Sequence, residues 1–293
     1  MLFKKTAIQL LALFASVRGY NLLVVIIAQY LSARYIFAPN KPWVQILLDP
    51  NLMKIFLATS FAIAGGYLIN NFYDAEKDQI NRPVKYLIEH RVPPVFQLFF
   101  YGLMNFSSLI LASLVSVKTI FFFVTYIFFL WLYSHYLKKR FWASNFFAVL
   151  LAVTPFIAIM FYFKNYESIV FHHAGFLFLV LLIRDLIKDL ENFKGDWVRD
   201  YKTIAVVYGE KRTKQIISFL VILMLIPVSL LMKNKQLINS MSYYFLATIP
   251  FLLLIVIILW KSPTQKTYLW LHNLLKVLIV SGILSILLIR LPL

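Results

Sequence analysis

Apolar residues run through the chain in long blocks, interrupted only by short polar stretches. A bilayer core is crossed by about 20 apolar residues in a helix, and cutting the blocks at that length predicts about nine spans. They cover Thr6 to Ala33, Leu52 to Phe72, Val95 to Val117, Thr119 to Leu137, Ser144 to Phe163, Ser168 to Ile187, Gln215 to Met232, Met241 to Trp260 and Leu269 to Ile289. Little more than Lys118 separates the third from the fourth. Continuous apolarity argues for helices, because the strands of a membrane barrel would alternate. The block from Ala7 to Leu31 is too long for a signal-peptide core and lacks a small-residue cleavage site, so it reads as a span. The expected fold class is all-α: a polytopic membrane bundle forming a single domain over residues 1–293, since no polar linker divides the blocks.

Lysine and arginine divide unevenly between alternate loops. Lys4, Lys5, Lys77, Arg82, Lys85, Arg91, Lys138, Lys139, Arg140 and the group from Lys188 to Lys214 share one side. The other side carries a sparser set: Arg34, Lys41, Lys54, Lys118, Lys164, Lys233, Lys235 and Arg290. The positive-inside rule then puts the N-terminus and the denser loops in the cytoplasm. Composition agrees, with 61% hydrophobic and 14% charged residues, against roughly half and a quarter in soluble domains. The net charge of +17 lies in these short loops rather than on one face, so it sets topology and argues against nucleic acid as a partner. The absence of cysteine excludes disulfides, thiolate catalysis and Cys-ligated zinc. His172 and His173 precede an apolar run and read as interfacial rather than metal-binding.

The acidic residues say more. Of the twelve, only Asp49 and Glu167 lie outside two foci. Asp74, Glu76, Asp78 and Glu89 follow the second span; Asp185, Asp189, Glu191, Asp196, Asp200 and Glu210 follow the sixth. Asn70, Asp74 and Asp78 are spaced four apart, so on a helix they share one side and drift by about 40° per step. Asp185, Asp189, Asn192 and Asp196 stand at offsets of four, seven and eleven, which also define one helical stripe. Carboxylates stacked on one face repel unless cations lie among them. Magnesium takes one or two carboxylates together with substrate phosphates. Nearby Lys85, Lys138, Lys139, Lys188 and Lys202 suit phosphate oxygens that the metal does not reach. An Mg2+-bridged diphosphate is therefore the expected ligand of two stripes that face one another. An ion or proton pathway, the reading from transport, would place its acids nearer mid-helix.

With these residues in hand, the chain resembles the UbiA superfamily of intramembrane prenyltransferases. The resemblance rests on Asn70, Asp74 and Asp78 with Asn81-Arg82-Pro83, and on Lys188-Asp189 through Gly195-Asp196 with Lys202-Thr203. Tyr133 to Asn145, holding Lys138-Lys139-Arg140, looks like the family's loop after its fourth helix, and Arg18 with Asn21 like its helix-one arginine region. Asn71 and Asn192 stand where aspartates are usual, Val84-Lys85-Tyr86 replaces a frequent Asn-Arg-Pro, and Asp200 occupies a frequent glycine. The form Lys-Asp…Gly-Asp looks closer to the digeranylgeranylglyceryl phosphate synthase and chlorophyll synthase branches than to the 4-hydroxybenzoate enzymes.

The resemblance implies nine helices, an N-terminus in the cytoplasm and transfer of a prenyl group from a prenyl diphosphate with release of pyrophosphate. It implies a lipophilic acceptor, either prenylglyceryl phosphate-like or an aromatic quinone precursor, in a protein surrounded by membrane lipids. Mg2+ would be held by Asn70, Asp74, Asp78, Asp189, Asn192 and Asp196, of which all but Asn192 are also expected to be catalytic. Lys85, Lys138, Lys139, Lys188, Lys202 and Tyr133 would bind diphosphate, Arg18 and Asn21 would line the acceptor region, and Tyr73 is a site candidate on position alone. A terpene cyclase on the same scaffold is the alternative that would release pyrophosphate with no acceptor, and a solute transporter the one that would make no covalent product.

Overall fold

A computed structural model describes residues 11–89, 91–140, 143–233 and 241–290. Among them every regular element is helical, and nine helices are long and apolar enough to cross a membrane. The main helices are α1 (Gly19–Ser32), α2 (Pro50–Asn81), α3 (Pro83–Glu89), α4 (Pro94–Ser113), α5 (Val117–His135), α6 (Ala143–Phe163), α7 (Ser168–Val198), α8 (Ile204–Leu223), α9 (Leu225–Lys233), α10 (Met241–Lys261) and α11 (Gln265–Ser285). The start of the first expected span at Thr6, and the loop charges Lys4, Lys5 and Lys235, lie outside the described residues.

The chain forms two compact units, residues 1–27 with 44–138, and residues 28–43 with 139–293. In the first, α2 is the centre, packed on α4 and α5. Its start is fixed by Asp49, whose carboxylate accepts from the backbone N–H of Asn51 and Leu52, and by Pro50 in the first turn, where proline costs no hydrogen bond. Close approach to α4 is enforced at Gly65: a Cβ there would come within 2.7 Å of the Asn105 side chain. The Ser108 hydroxyl donates to the Ala58 carbonyl across the same interface, at 2.8 Å. In the second unit α7 is the hub, touching α6, α8, α9 and α11.

Several boundaries differ from the apolar blocks, each for a local reason. The second and sixth spans do not end at Phe72 and Ile187. Their helices continue through the acidic stripes to Asn81 and Val198, giving 32 and 31 residues. At 1.5 Å per residue these are about 48 and 46 Å long, against a hydrocarbon core of about 30 Å. Hydropathy reports where a helix leaves the lipid, whereas the backbone hydrogen bonds carry on into water. The first span is broken at Arg18, which adopts φ +50°, and it ends in a π-helical turn, Ala33–Phe37. The seventh begins at Ile204 rather than Gln215 and contains a non-helical Gly209 at φ +77°, a conformation that glycine adopts without steric cost. Large apolar side chains cover the outside, among them Phe96, Phe99, Phe106, Phe121, Phe219 and Ile222, each more than half exposed. Lipid is the solvent that suits such a surface.

Candidate active site

The stripe after the second span sits on the last turns of α2, within the first unit. The Asn70 amide donates to Asp74 Oδ2 at 2.8 Å. Lys138 Nζ lies 2.8 Å from Asp74 Oδ1 and 3.4 Å from Asn70 Oδ1. That lysine is only 5% exposed, and burying an ammonium requires a partner of this kind. One turn further on, Lys85 of α3 contacts Asp78 Oδ2 at 2.7 Å and Glu89 Oε2 at 3.3 Å. Burial holds the Glu89 carboxyl above its ordinary value, against the opposing pull of Lys85 and Arg18. The row therefore presents an amide oxygen and two carboxylates, each carboxylate facing a lysine.

Tyr73 lies on the flank of this row. Its ring is 5.7 Å from Lys138 Nζ and 5.1 Å from the His135 ring, which stacks on Trp131 at 5.3 Å. Asn71, the departure next to Asn70, faces away from the row. It is 1% exposed and its amide donates to the Ser16 carbonyl at 2.9 Å. An ionised aspartate could not make that bond, because it has no donor. Arg18 lies 4.7 Å over the Tyr67 ring, and the Asn21 amide donates to the Tyr67 hydroxyl at 3.5 Å. Tyr133 is half-buried on α5.

The second stripe belongs to α7 in the second unit. Asp189, Asn192 and Asp196 are buried, Asp196 completely, and Glu191 is buried beside them. Asn145, in the first turn of α6, spans two of the acids: its amide donates to Asp189 Oδ2 at 2.8 Å and to Asp185 Oδ2 at 3.0 Å. The negative charges of Asp185 and Asp196 both act on Asp189, with Lys188 as a weaker counterweight. Lys188 Nζ stands 3.7 Å from Asp185. Lys139 and Lys202 are exposed; the Lys202 N–H donates to the Lys139 carbonyl at 3.1 Å, and Lys139 Nζ lies 5.6 Å from the buried Tyr201 ring. Lys138 and Lys139, adjacent in sequence, thus have different surroundings. Asp200, in the glycine position, adopts φ +52°, the conformation glycine would take there at no cost.

Both rows offer hard oxygen donors of the type Mg2+ selects. Buried carboxylates held near one another, as on α7, are costly without a cation, so the second row in particular fits the metal. Among the described residues no three His, Asp or Glu side chains are already grouped as a complete metal cage. A cation that completes its octahedron with water and phosphate does not need one. Sequence reasoning gave no role to Asn145, Glu89 or Tyr67. Asn145 and Glu89 are polar residues flanking apolar runs and Tyr67 lies inside the second apolar block; only their contacts set them apart.

Comparison with known proteins gives this arrangement its context. The chain is 27% identical over 229 residues to the digeranylgeranylglyceryl phosphate synthase of Thermococcus gammatolerans, covering 74% of this chain and 77% of the relative. It is 27% identical over 255 residues to the enzyme of that name from Saccharolobus solfataricus, covering 80% and 83%. A solved digeranylgeranylglyceryl phosphate synthase structure shares the fold with a TM-score of 0.72 at 22% identity, over 94% of this chain and 96% of that one. A UbiA homologue from Archaeoglobus fulgidus, solved with GPP and Mg2+, superposes with a TM-score of 0.69 at 15% identity, over 94% and 99%. The model of the UbiA prenyltransferase family matches residues 11–277, nearly the whole chain and both acidic rows, and the chain belongs to that family of membrane prenyltransferases.

Proposed function

We propose that this protein transfers a prenyl group from a polyprenyl diphosphate to the hydroxyl of a prenylglyceryl phosphate, with Mg2+ as cofactor, and that residues 1–293 work as one prenyltransferase domain. The observation that carries the reading is that both overlong helices, α2 and α7, end in a row of oxygen ligands. Asn70, Asp74 and Asp78 would hold Mg2+ on one, and Asp189, Asn192 and Asp196 on the other. When bound, Mg2+ supplies Lewis-acid stabilisation of the pyrophosphate as the allylic C–O bond breaks. The electron pair of that bond leaves with the pyrophosphate. The acceptor hydroxyl oxygen then bonds to the allylic carbon and a proton is released.

Lys138 and Lys85 already sit at hydrogen-bond distance from carboxylates of the first row. They would be placed to donate to oxygens of the diphosphate, and such charge-assisted bonds are the strong ones. Lys139, Lys188, Lys202 and Tyr133 are assigned to the same diphosphate. Asn145 orients Asp185 and Asp189 so that their remaining lone pairs stay available. Arg18 and Asn21 receive the acceptor, whose phosphate suits a guanidinium and an amide. The names of the curated relatives support a prenylglyceryl phosphate over an aromatic acceptor. The concentration of lysine and arginine around both rows supports a cytoplasmic active face and a cytoplasmic N-terminus.

Purified protein with Mg2+, prenyl diphosphates of several lengths and a panel of hydroxyl and aromatic acceptors tests the proposal by product mass. The expected result is one ether-linked adduct and stoichiometric pyrophosphate, both lost when Mg2+ is chelated. Pyrophosphate release with a cyclised product and no acceptor would show a cyclase instead.

A further inference from the structure

We infer that Tyr67 is the positioning residue of the acceptor site, setting the affinity for the acceptor's phosphate by holding Arg18 and Asn21 in place. The inference rests on the assignment of those two residues to the acceptor. Tyr67 belongs to α2 three residues before Asn70, so it occupies the same helical side one turn deeper in the membrane. The chain entering α1 breaks at Arg18, whose φ of +50° is a left-handed conformation that costs free energy for any residue but glycine. The break lays the guanidinium over the Tyr67 ring, 4.7 Å from its centroid. Asn21, on the first turn of α1, donates to the hydroxyl of the same tyrosine at 3.5 Å. One side chain thus meets both residues, one through its face and the other through its oxygen.

Stacking occupies the flat face of a guanidinium and leaves its in-plane N–H edges for oxygens, the geometry that recognises phosphate in two-point fashion. The ring also restricts a long, flexible side chain before the ligand arrives, which lowers the ordering cost of binding. The Arg18 charge also reaches Glu89 of α3, where it favours the ionised carboxyl against burial.

Steady-state kinetics on the full chain in nanodiscs test this, with KM for a prenylglyceryl phosphate and for the prenyl diphosphate measured separately. Tyr67→Leu should raise the acceptor KM about tenfold, the scale of losing a desolvated cation–π contact. It should leave the prenyl diphosphate KM and the Mg2+ half-saturation where they were. Tyr67→Phe, which keeps the ring, should recover all but about two- to threefold of that rise. An unmoved acceptor KM in Tyr67→Leu, or an equal rise for both substrates, overturns the assignment. If thermal melting shows that Tyr67→Leu does not fold, Arg18→Lys carries the test: it keeps the charge, loses the flat face and should raise the acceptor KM alone. Absence of that selective rise is equally fatal. If the wild-type chain transfers nothing, the functional reading fails by itself. Direct binding of the prenylglyceryl phosphate then decides the role of Tyr67, with about tenfold weakening in Tyr67→Leu expected and equal binding overturning it.

Discussion

In the row on α2 each carboxylate meets an ammonium: Asp74 meets Lys138 at 2.8 Å and Asp78 meets Lys85 at 2.7 Å. In the row on α7 the groups around Asp189 are an amide, two further carboxylate charges and the more distant Lys188. Both rows have the same spacing logic and sit at the ends of equally long helices, yet their electrostatics differ. In the first each carboxylate is paired with a lysine, whereas in the second Asp189 is met by an amide and by the neighbouring carboxylates Asp185 and Asp196. Carboxylates held this close to one another are suited to a cation placed among them. The second row is therefore expected to be the part more dependent on Mg2+, and the first the part that trades lysine contacts between carboxylate and phosphate.

The largest expected effect comes from removing a ligand in either row. Asp189→Ala and Asp74→Ala should each lower Mg2+-dependent transfer by roughly 10³-fold, the upper scale for deleting one preorganised electrostatic group. Product formation over a magnesium titration measures it, and a variant retaining near-wild-type turnover at any Mg2+ concentration removes that row from the metal assignment. The rows should separate in stability. Asp189→Ala relieves carboxylate repulsion and is expected to melt no lower than wild type without Mg2+. Asp74→Ala takes from the buried Lys138 its carboxylate partner and should melt lower.

Lys138→Met probes the balanced row from the other partner. It leaves Asp74 buried without its ammonium, a change that costs about 3 kcal/mol when one half of a buried pair is removed. Saturating Mg2+ should restore much of that loss, because the freed carboxylate becomes a stronger ligand. Melting curves with and without Mg2+ give the answer, and a loss that Mg2+ does not reduce would separate Lys138 from the metal site. Next in size is Asn145→Ala in the other row. Groups that orient metal ligands from behind are worth 10–100-fold in metal affinity, and a rise of roughly that size in Mg2+ half-saturation is expected. An unchanged half-saturation would reduce Asn145 to a packing residue.

Spacing alone showed that Asn70, Asp74 and Asp78 share a helical side, and that Asp185, Asp189, Asn192 and Asp196 do too, because helical geometry fixes it. The nine apolar blocks were equally legible, since each must fill the hydrocarbon with apolar side chains. What spacing could not show is which lysine turns inward: Lys138 and Lys139 are chemically identical neighbours in the short turn after α5, one buried and the other exposed. Asn145 was hidden for the opposite reason, being an ordinary amide whose importance lies in the distance to a helix far away in sequence. The helix breaks at Arg18 and Gly209 leave no mark in hydropathy, because a change of φ at one residue leaves the apolar count unaltered.

The smallest effect belongs to Lys188→Met, and it is useful because it repeats the Lys138 substitution in the other row. Lys188 stands 3.7 Å from Asp185 with a third of its side chain exposed, so water already solvates much of its charge. Pairs of this kind contribute between nothing and about 1 kcal/mol. Its loss should shift the melting transition by no more than that, with or without Mg2+. Were Lys188→Met to destabilise as much as Lys138→Met, the ammonium would be the true counter-charge of Asp185 and Asp189. Both rows would then be balanced in the same way, and the greater Mg2+ dependence expected of the α7 row would have no electrostatic basis.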